Sequence, residues 1–473
     1  MLKLEIPYQE NSALIFNKIA HLPWAIFLDS GQPKSEFGHC DVMVADPFIR
    51  LVTRGEETEV VDVNGIAVSQ EDPFELLKKV MAPYQMPTTG LPFEGGAVGY
   101  FAYDLGRRLE KLPAHAVDQE QLPEMMVGIY DWAVVVDHRK KRAFLVSHSR
   151  NPQTQSQWAS LRALFDKPCN CIDESEFKVT SPLVSNFNPK TYHQAFERVQ
   201  QYIQAGDCYQ VNLAQRFSVQ AEGSGWGAYQ TLREISPAPF MAYMNLQDKH
   251  STVEVLSASP ERFLQVSGNH VETRPIKGTR PRSLDVTQDQ QNAQALQTSP
   301  KDRAENLMIV DLLRNDLSKV CETGSVRADH LFALESFANV HHLVSTVTGK
   351  LKRGMGAVDL LRACFPGGSI TGAPKLRSME IIEELEPNRR GVYCGAIGYI
   401  GFDGNMDTNI AIRTAIYSQQ EMRFYAGGGV VADSQPEKEY RETWDKASSM
   451  LQLVKHFGGD ISLRERALND VGH

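Results

Sequence analysis

The peptide Pro275-Ile276-Lys277-Gly278-Thr279-Arg280-Pro281-Arg282 places one lysine among three arginines, Arg274, Arg280 and Arg282. Proline at either end fixes a backbone dihedral, and Gly278 lets the chain approach a ligand closely. Positive neighbours disfavour the ammonium form, so the lysine pKa falls and more free amine is available as a nucleophile. Lys277 is therefore a candidate covalent catalyst; the alternative is a basic loop that binds phosphate or faces water. Glu261, in SASPERF, precedes it by two strand-like segments that could form a hairpin. A carboxyl group there could be protonated by desolvation and act as a general acid, or could pair with Arg262.

Two helices carry candidate metal ligands. In SPKDRAENLMIVDLLRNDL, Ser299 is the expected cap, Pro300 the first helical residue and Asp302 the partner in a capping-box variant, with Asp302 and Glu305 on one face. In SQPEKEYRETWDKASSMLQLV, Ser434 and Glu437 have capping-box spacing. Tyr440, Trp444, Ala447, Leu451 and Val454 form an apolar stripe there, with Glu439, Glu442 and Lys446 beside it. Converging carboxylates could hold magnesium, which takes one or two protein carboxylates plus water and substrate oxygens. The alternative is an ordinary surface pair, Glu442 with Lys446, worth about 0.3–0.5 kcal/mol.

Further polar groups could receive an anion. FPGGSITGAPKLRSMEIIEEL is a glycine-rich turn feeding a helix, with the Ser369 and Thr371 hydroxyls available. Ala373 and Pro374 stand where a nucleotide-binding loop requires lysine directly after glycine, which argues against that reading. The run Gly427, Gly428, Gly429 follows the strand MRFYA and could cradle a carboxylate or permit a tight turn. Arg413, in the strand-like NIAIRTAIY, needs a carboxylate to meet it, either a substrate's or a structural partner's. His342, in NVHHLVSTV, reads as a satisfied structural group or an acid-base residue.

The elements that position these groups suit an α+β protein. WAIFLDSG, CDVMVADPFIRLVT and TEVVDVNGIAV read as strands, and a helix is expected near 73–81. The polar stretch 166–188 suits a linker between an N-terminal lobe, 1–175, and a second lobe, 188–460. That lobe opens with a helix capped by Asn188, started by Pro189 and stopped by Gly206. A strand follows in which Tyr209, Val211 and Leu213 alternate with Gln210 and Asn212. The chain has 473 residues, 42% hydrophobic, and a net charge of -9, which argues against general nucleic-acid binding. Its seven scattered cysteines, of which only Cys169 and Cys171 are close, fit reduced thiols rather than a disulfide or zinc framework. No stretch approaches the length of a membrane span and MLKLEIPYQENSALIF lacks a signal pattern, so a cytoplasmic protein is expected.

Taken in order, SPERF, PIKGTRPR, ENLMIVDLLRNDL, HHLVS, GGSITGAPK, AIRTA, AGGGVV and EYRETWDKA resemble the chorismate-utilising enzymes throughout about 188–457. WAIFLDSG and FEGGAVGYFAYD resemble that family's first lobe. The resemblance implies a two-lobed α/β sandwich and a magnesium ion held by Glu305 and Glu442, with Asp302 and Glu439 in support. Chorismate would be held by Gln210, Ser369, Arg413, Lys446 and the amides of Gly427, Gly428 and Gly429, with His342 near the ring. Aminodeoxychorismate synthases in that family carry lysine where Lys277 stands and anthranilate synthases carry alanine. The implied chemistry is attack by Lys277, protonation of the departing hydroxyl by Glu261 and displacement by ammonia. Isochorismate and salicylate synthases place a lysine base where this chain has Gln210, which disfavours water addition here. No segment resembles a glutamine amidotransferase, so ammonia is expected from a separate glutaminase subunit. The family's first lobe sometimes holds tryptophan, and Leu28, Asp29 and Ser30 fall in that part of the pattern. The rival readings are anthranilate synthase component I and a non-catalytic, amino-acid-sensing subunit.

Overall fold

The computed structural model describes residues 1–33, 38–88, 90–166, 177–283, 285–336 and 340–469; Cys169, Cys171 and the middle of the expected linker lie outside them. Two large antiparallel sheets dominate. The first runs Leu2–Ile6, Arg142–Ser147, Trp132–Asp137, Cys40–Val44, Ala25–Asp29, Phe240–Gln247, Thr252–Ser259, Thr414–Ser418, Glu421–Val430, Gln210–Glu222. The second runs from Ile276–Pro281 through Val340–Lys350, His270–Thr273, Arg262–Ser267, Met406–Ile410, Ala396–Gly401 and Gly96–Phe101 to the hairpin edge at Gly65–Ser69. The α+β class and the sandwich follow from this arrangement. The linker divides the sequence but not the sheets: Ala25–Asp29 pairs with Phe240–Gln247, and Gly96–Phe101 with Ala396–Gly401.

Alternation explains how the layers meet. Ile26, Val42, Val135, Met244 and Val255 of the first sheet pack against Val98, Tyr100, Tyr130 and Ile397 of the second in one buried cluster. The outer face of the first sheet is covered by helices that bring Val199, Trp226, Tyr440, Trp444 and Leu451 into another. Among the described residues no helix is long and apolar enough to cross a membrane.

Local signals set the helices that matter for the site. Asn188 caps Pro189–Ala205, its side chain accepting from the Thr191 amide at 2.9 Å, while the Thr191 hydroxyl accepts from the Asn188 amide at 3.0 Å. Gly206 ends that helix with φ +81°. Ser299 caps Pro300–Ser318 through the Asp302 amide. The reciprocal half of the expected box is not made, because the Asp302 carboxylate instead accepts from Arg280 at 2.9 Å. Ser434 is likewise not a cap: Gln435 is, and the Ser434 hydroxyl donates to Glu439 at 2.7 Å. The expected apolar stripe is buried, but it spans two helices, Pro436–Lys446 and Ser448–His456, that meet at Ala447. Tyr209 departs from its expected set, being 72% exposed just before Gln210–Glu222 begins.

Helix Pro189–Ala205 packs against Pro436–Lys446, so its cap supports the element that carries Glu439 and Glu442. Asn188→Ala is expected to cost about 1 kcal/mol. Urea unfolding should show a lower midpoint at unchanged slope.

Candidate active site

Ser369 brings the two candidate catalysts together. It lies in the short helical turn Gly368–Ile370, where its carbonyl accepts from the Lys277 amine at 3.2 Å and its side chain lies close enough to Glu261 to favour the carboxylate. The turn is fastened to the neighbouring strand. The Asn212 amide donates to the Thr371 carbonyl at 2.8 Å, the Tyr209 amide to the Ala373 carbonyl at 2.7 Å, and the Ser378 hydroxyl to the Gln210 carbonyl at 2.9 Å. Arg390, buried and paired with Glu386, donates to the carbonyls of both Ile370 and Asn212 at 2.9 Å. The Thr371 hydroxyl is engaged within the turn, donating to the Gly367 carbonyl.

Glu261 and Lys277 are joined by the expected hairpin, Arg262–Ser267 with His270–Thr273. Arg262 does not pair with Glu261; it meets Asp407 and Glu272, each at 3.0 Å. Glu261 is buried, and desolvation raises its pKa despite the opposing charge of Lys277. Desolvation lowers the Lys277 pKa most, the charge of Lys446 adds to it, and Glu261, Glu305 and Glu442 oppose. Both groups are pushed toward their neutral forms. The three arginines expected to do this are occupied elsewhere: Arg274 pairs with Glu335, Arg280 with Asp302 and Arg282 with Asp289. The charge acting on Lys277 comes from a distant part of the chain, because the strand points this side chain away from its sequence neighbours.

Gly278 has φ +81°, and a Cβ there would lie 2.7 Å from Leu296 and 2.9 Å from the Asp302 carboxylate. This is the close approach expected of it, although the approach is to the protein itself. His342 lies in Val340–Lys350, its Nδ1 2.9 Å from the Thr279 hydroxyl, and burial pushes its pKa down to about 4. It is thus neutral near pH 7. Thr279, which was not among the sequence candidates, anchors this ring; its place two residues after Lys277 on the paired strand was the available signal.

Arg413 is not within a strand. It occupies the link between Met406–Ile410 and Thr414–Ser418 with φ 49°, and no ion pair reaches it among the described residues. Burial lowers its pKa, partly offset by the charge of Glu261. The three glycines form no turn; they lie inside Glu421–Val430. Gly429 abuts the Gln210 side chain, and a Cβ on Gly428 would lie 3.1 Å from Glu439 Oε2 and 3.2 Å from Glu442 Oε1. Lys446 donates to the Gly427 carbonyl at 2.9 Å and pairs with Glu442 at 2.7 Å, the surface pair anticipated from spacing. Gln210 is fully buried, and neither its Nε2 nor its Oε1 has a hydrogen-bond partner among the described residues.

The metal candidates are partly assembled. Glu439 Oε2 is buried beside Glu442 Oε1 with no partner among the described residues, a donor set that suits a hard cation. Glu305 faces Lys277 and Lys301, and burial raises its pKa, whereas Lys446 lowers that of Glu442. Among the described residues no three Asp, Glu, His or Cys side chains converge into a metal-binding group. Asn306, the neighbour of Glu305, is buried and fixes this helix to the sheet by accepting from Ser345 at 2.5 Å.

A separate cavity of about 320 Å³ lies between the sheets, lined by Leu28, Asp29, Ser30, Phe240, Met241 and Tyr399, among others. The Asp29 carboxylate is already engaged by Arg233 and Tyr229.

The fold and this clustering define a chorismate binding enzyme, and the chain belongs to that family, which it matches over residues 25–452. It is 47% identical over 458 residues to aminodeoxychorismate synthase component 1 of Salmonella typhimurium, covering 96% of this chain and 98% of that one. The corresponding Escherichia coli protein is 46% identical over 450 residues, covering 94% and 97%. The crystal structure of anthranilate synthase component I from Streptococcus pneumoniae superposes with a TM-score of 0.76 at 31% identity, covering 87% of this chain and 92% of that one.

A lysine held below its ordinary pKa destabilises the fold, fully so below its folded pKa, and that cost fades only as pH rises from the folded pKa to the unfolded value of 10.5. Lys277→Met is therefore expected to be more stable than the parent at pH 7, with the difference narrowing toward pH 10 in urea titrations. Gly278→Ala should cost about 1–2 kcal/mol from the left-handed backbone alone, read as a lower thermal midpoint.

Proposed function

We propose that this chain aminates chorismate with ammonia to give 4-amino-4-deoxychorismate, and that Lys277 carries the ring between two substitutions. The observation that carries this reading is the Lys277 amine on the Ser369 carbonyl with Glu261 beside it, at a position where the family resemblance implies alanine in anthranilate synthases. The names of the 47% and 46% identical relatives point the same way.

In this reading the neutral Lys277 amine bonds to the far end of the allylic system and the double bond shifts. The ring hydroxyl leaves as water with the Glu261 proton. Ammonia then bonds at the carbon the hydroxyl left, the double bond returns and the bond to Lys277 breaks. The incoming nitrogen's extra proton restores Glu261. Arg413, Lys446, Ser369, Gln210 and the Gly427, Gly428 and Gly429 amides hold the substrate. His342, neutral, lines the ring side. Magnesium, held by Glu305 and Glu442 with Glu439 and Asp302 in support, would neutralise a substrate carboxylate; the buried Glu439 Oε2 beside Glu442, partnerless among the described residues, favours that assignment.

Ammonia comes from a separate glutamine amidotransferase subunit in this reading, as the designation "component 1" of the relatives implies a further component for them. The reaction is placed in the cytoplasm, in line with the free thiols of Cys40, Cys208, Cys321, Cys364 and Cys394. The 320 Å³ cavity, with Leu28, Asp29 and Ser30 in its wall, is proposed to take an amino acid such as tryptophan. Equilibrium dialysis against tryptophan tests this, and Met241→Trp, which fills the space, should abolish retention.

Incubated with chorismate but no ammonia, the enzyme should gain a substrate adduct by intact mass, and Lys277→Ala should gain none while losing at least about 100-fold in rate. Adduct formation on the variant would remove Lys277 from the mechanism. With ammonium, the product should retain its enolpyruvyl group; loss of pyruvate would indicate anthranilate synthase, and absence of turnover a sensing subunit. Glu442→Gln should raise the magnesium concentration for half-maximal binding about 10-fold by calorimetry.

A further inference from the structure

Gln210 and Asn212, two buried side chains near the reacting groups, leave amide atoms without partners among the described residues: Gln210 Nε2 and Oε1, and Asn212 Oδ1. Both residues are at least nine-tenths buried. In Gln210–Glu222 successive side chains alternate, so Gln210, Asn212 and Ala214 share one face. Ala214 packs in a cluster with Phe263 and Ile410, which belong to the second sheet, and with Ile370. That face therefore looks toward the sheet that carries Lys277. The same two residues border the catalytic turn through their backbones, the Asn212 amide to Thr371 and Gln210 in register with Ala373.

A buried carboxamide oxygen without a donor costs about 1–3 kcal/mol, so it marks a place where a ligand supplies the hydrogen. Of the two substrates in the proposed reaction, chorismate carries anionic carboxylates that call for cations, and these are present in Lys446 and Arg413. Ammonia has three N–H bonds and one lone pair and calls for neutral acceptors. A carboxylate would hold ammonium as an ion pair and keep its lone pair protonated; a carboxamide accepts N–H without that penalty.

We propose that Gln210 Oε1 and Asn212 Oδ1 form the ammonia subsite, each accepting one N–H so that the nitrogen lone pair faces the ring. The inference rests on the aminating function proposed above. Gln210 was expected to contact substrate, and Asn212 extends that role to the second nucleophile.

The test separates the two nucleophiles. Asn212→Leu, which removes both amide atoms at similar volume, should raise the KM for ammonia about 10-fold or more at saturating chorismate. It should leave the KM for chorismate and the ammonia-free Lys277 adduct, seen by intact mass, unchanged. Asn212→Asp, whose carboxylate would keep the bound nitrogen protonated, should lower kcat with ammonia, and a kcat equal to the parent's overturns the neutral subsite. An unchanged ammonia KM in Asn212→Leu, or chorismate and ammonia KM values rising together, overturns the subsite. If Asn212→Leu forms no adduct, Asn212→Ser replaces it: a rise in the ammonia KM alone supports the subsite, and either of the other two patterns overturns it. Absence of adduct in the parent enzyme would instead remove the aminating mechanism itself, so the two failures are distinct.

Discussion

Burial of an amine and a carboxyl group against one turn is the constraint on which the site depends. Lys277 and Glu261 both reach Ser369, and both lose solvent there. Had they met as a direct ion pair, each would have stabilised the other's charged form. Here their mutual attraction persists and Ser369 itself favours the Glu261 carboxylate, but loss of solvent outweighs both, so the lysine is pushed down and the acid up together. The turn can do this only if its own backbone is rigid. That rigidity comes from the strand that begins at Gln210 and from the buried Arg390–Glu386 pair, whose guanidinium ties turn to strand. Removing either partner would leave an uncompensated buried charge, which makes this pair a structural requirement of the active site even though it lies outside the chemistry.

The distribution of cations follows from the same constraint. An acidic chain can receive an anion if its local cations are unpaired where the anion lands. Arg274, Arg280 and Arg282, the obvious basic cluster in the sequence, each have an acidic partner and fix the strand of Lys277 in place. Arg413 lacks such a partner among the described residues and sits in a left-handed link, conditions that cost stability unless a ligand compensates. Lys446 is intermediate, bonded to Glu442 and to the Gly427 carbonyl at the edge of the glycine run. Under the proposed function, exchange of that pair for a metal on Glu442 and a substrate oxygen on Lys446 would conserve charge balance within the cleft.

The legible parts of this arrangement were those set by neighbours in the chain. Asn188 with Pro189 and Gly206, Ser299 with Pro300, and the hairpin between Glu261 and Lys277 were all readable, because caps and tight pairings are decided within a few residues. Where expectation and structure part, a longer-range competitor is the cause. Ser434 turned to Glu439, Asp302 turned to Arg280, and the cation acting on Lys277 proved to be Lys446, 169 positions further along the sequence. Arg413 broke what read as one strand because the chain there passes from the second sheet to the first. Nor could the linker reveal that both sheets are built across it, since strand order is a property of pairing rather than of sequence position.

That shared construction bears on how chemistry can diverge within the family. Strands from both segments complete each sheet, so neither sheet can be altered piecemeal without disturbing two cores. Lys277, by contrast, lies on the terminal strand of the second sheet, paired on one side only, with Gly278 relieving the backbone beside it. Lys277 carries its amine there at an electrostatic cost, since loss of solvent disfavours the charged form. If Lys277 carries the chemistry proposed for it, the residue that directs the reaction sits on an edge strand rather than within the shared frame of the two sheets.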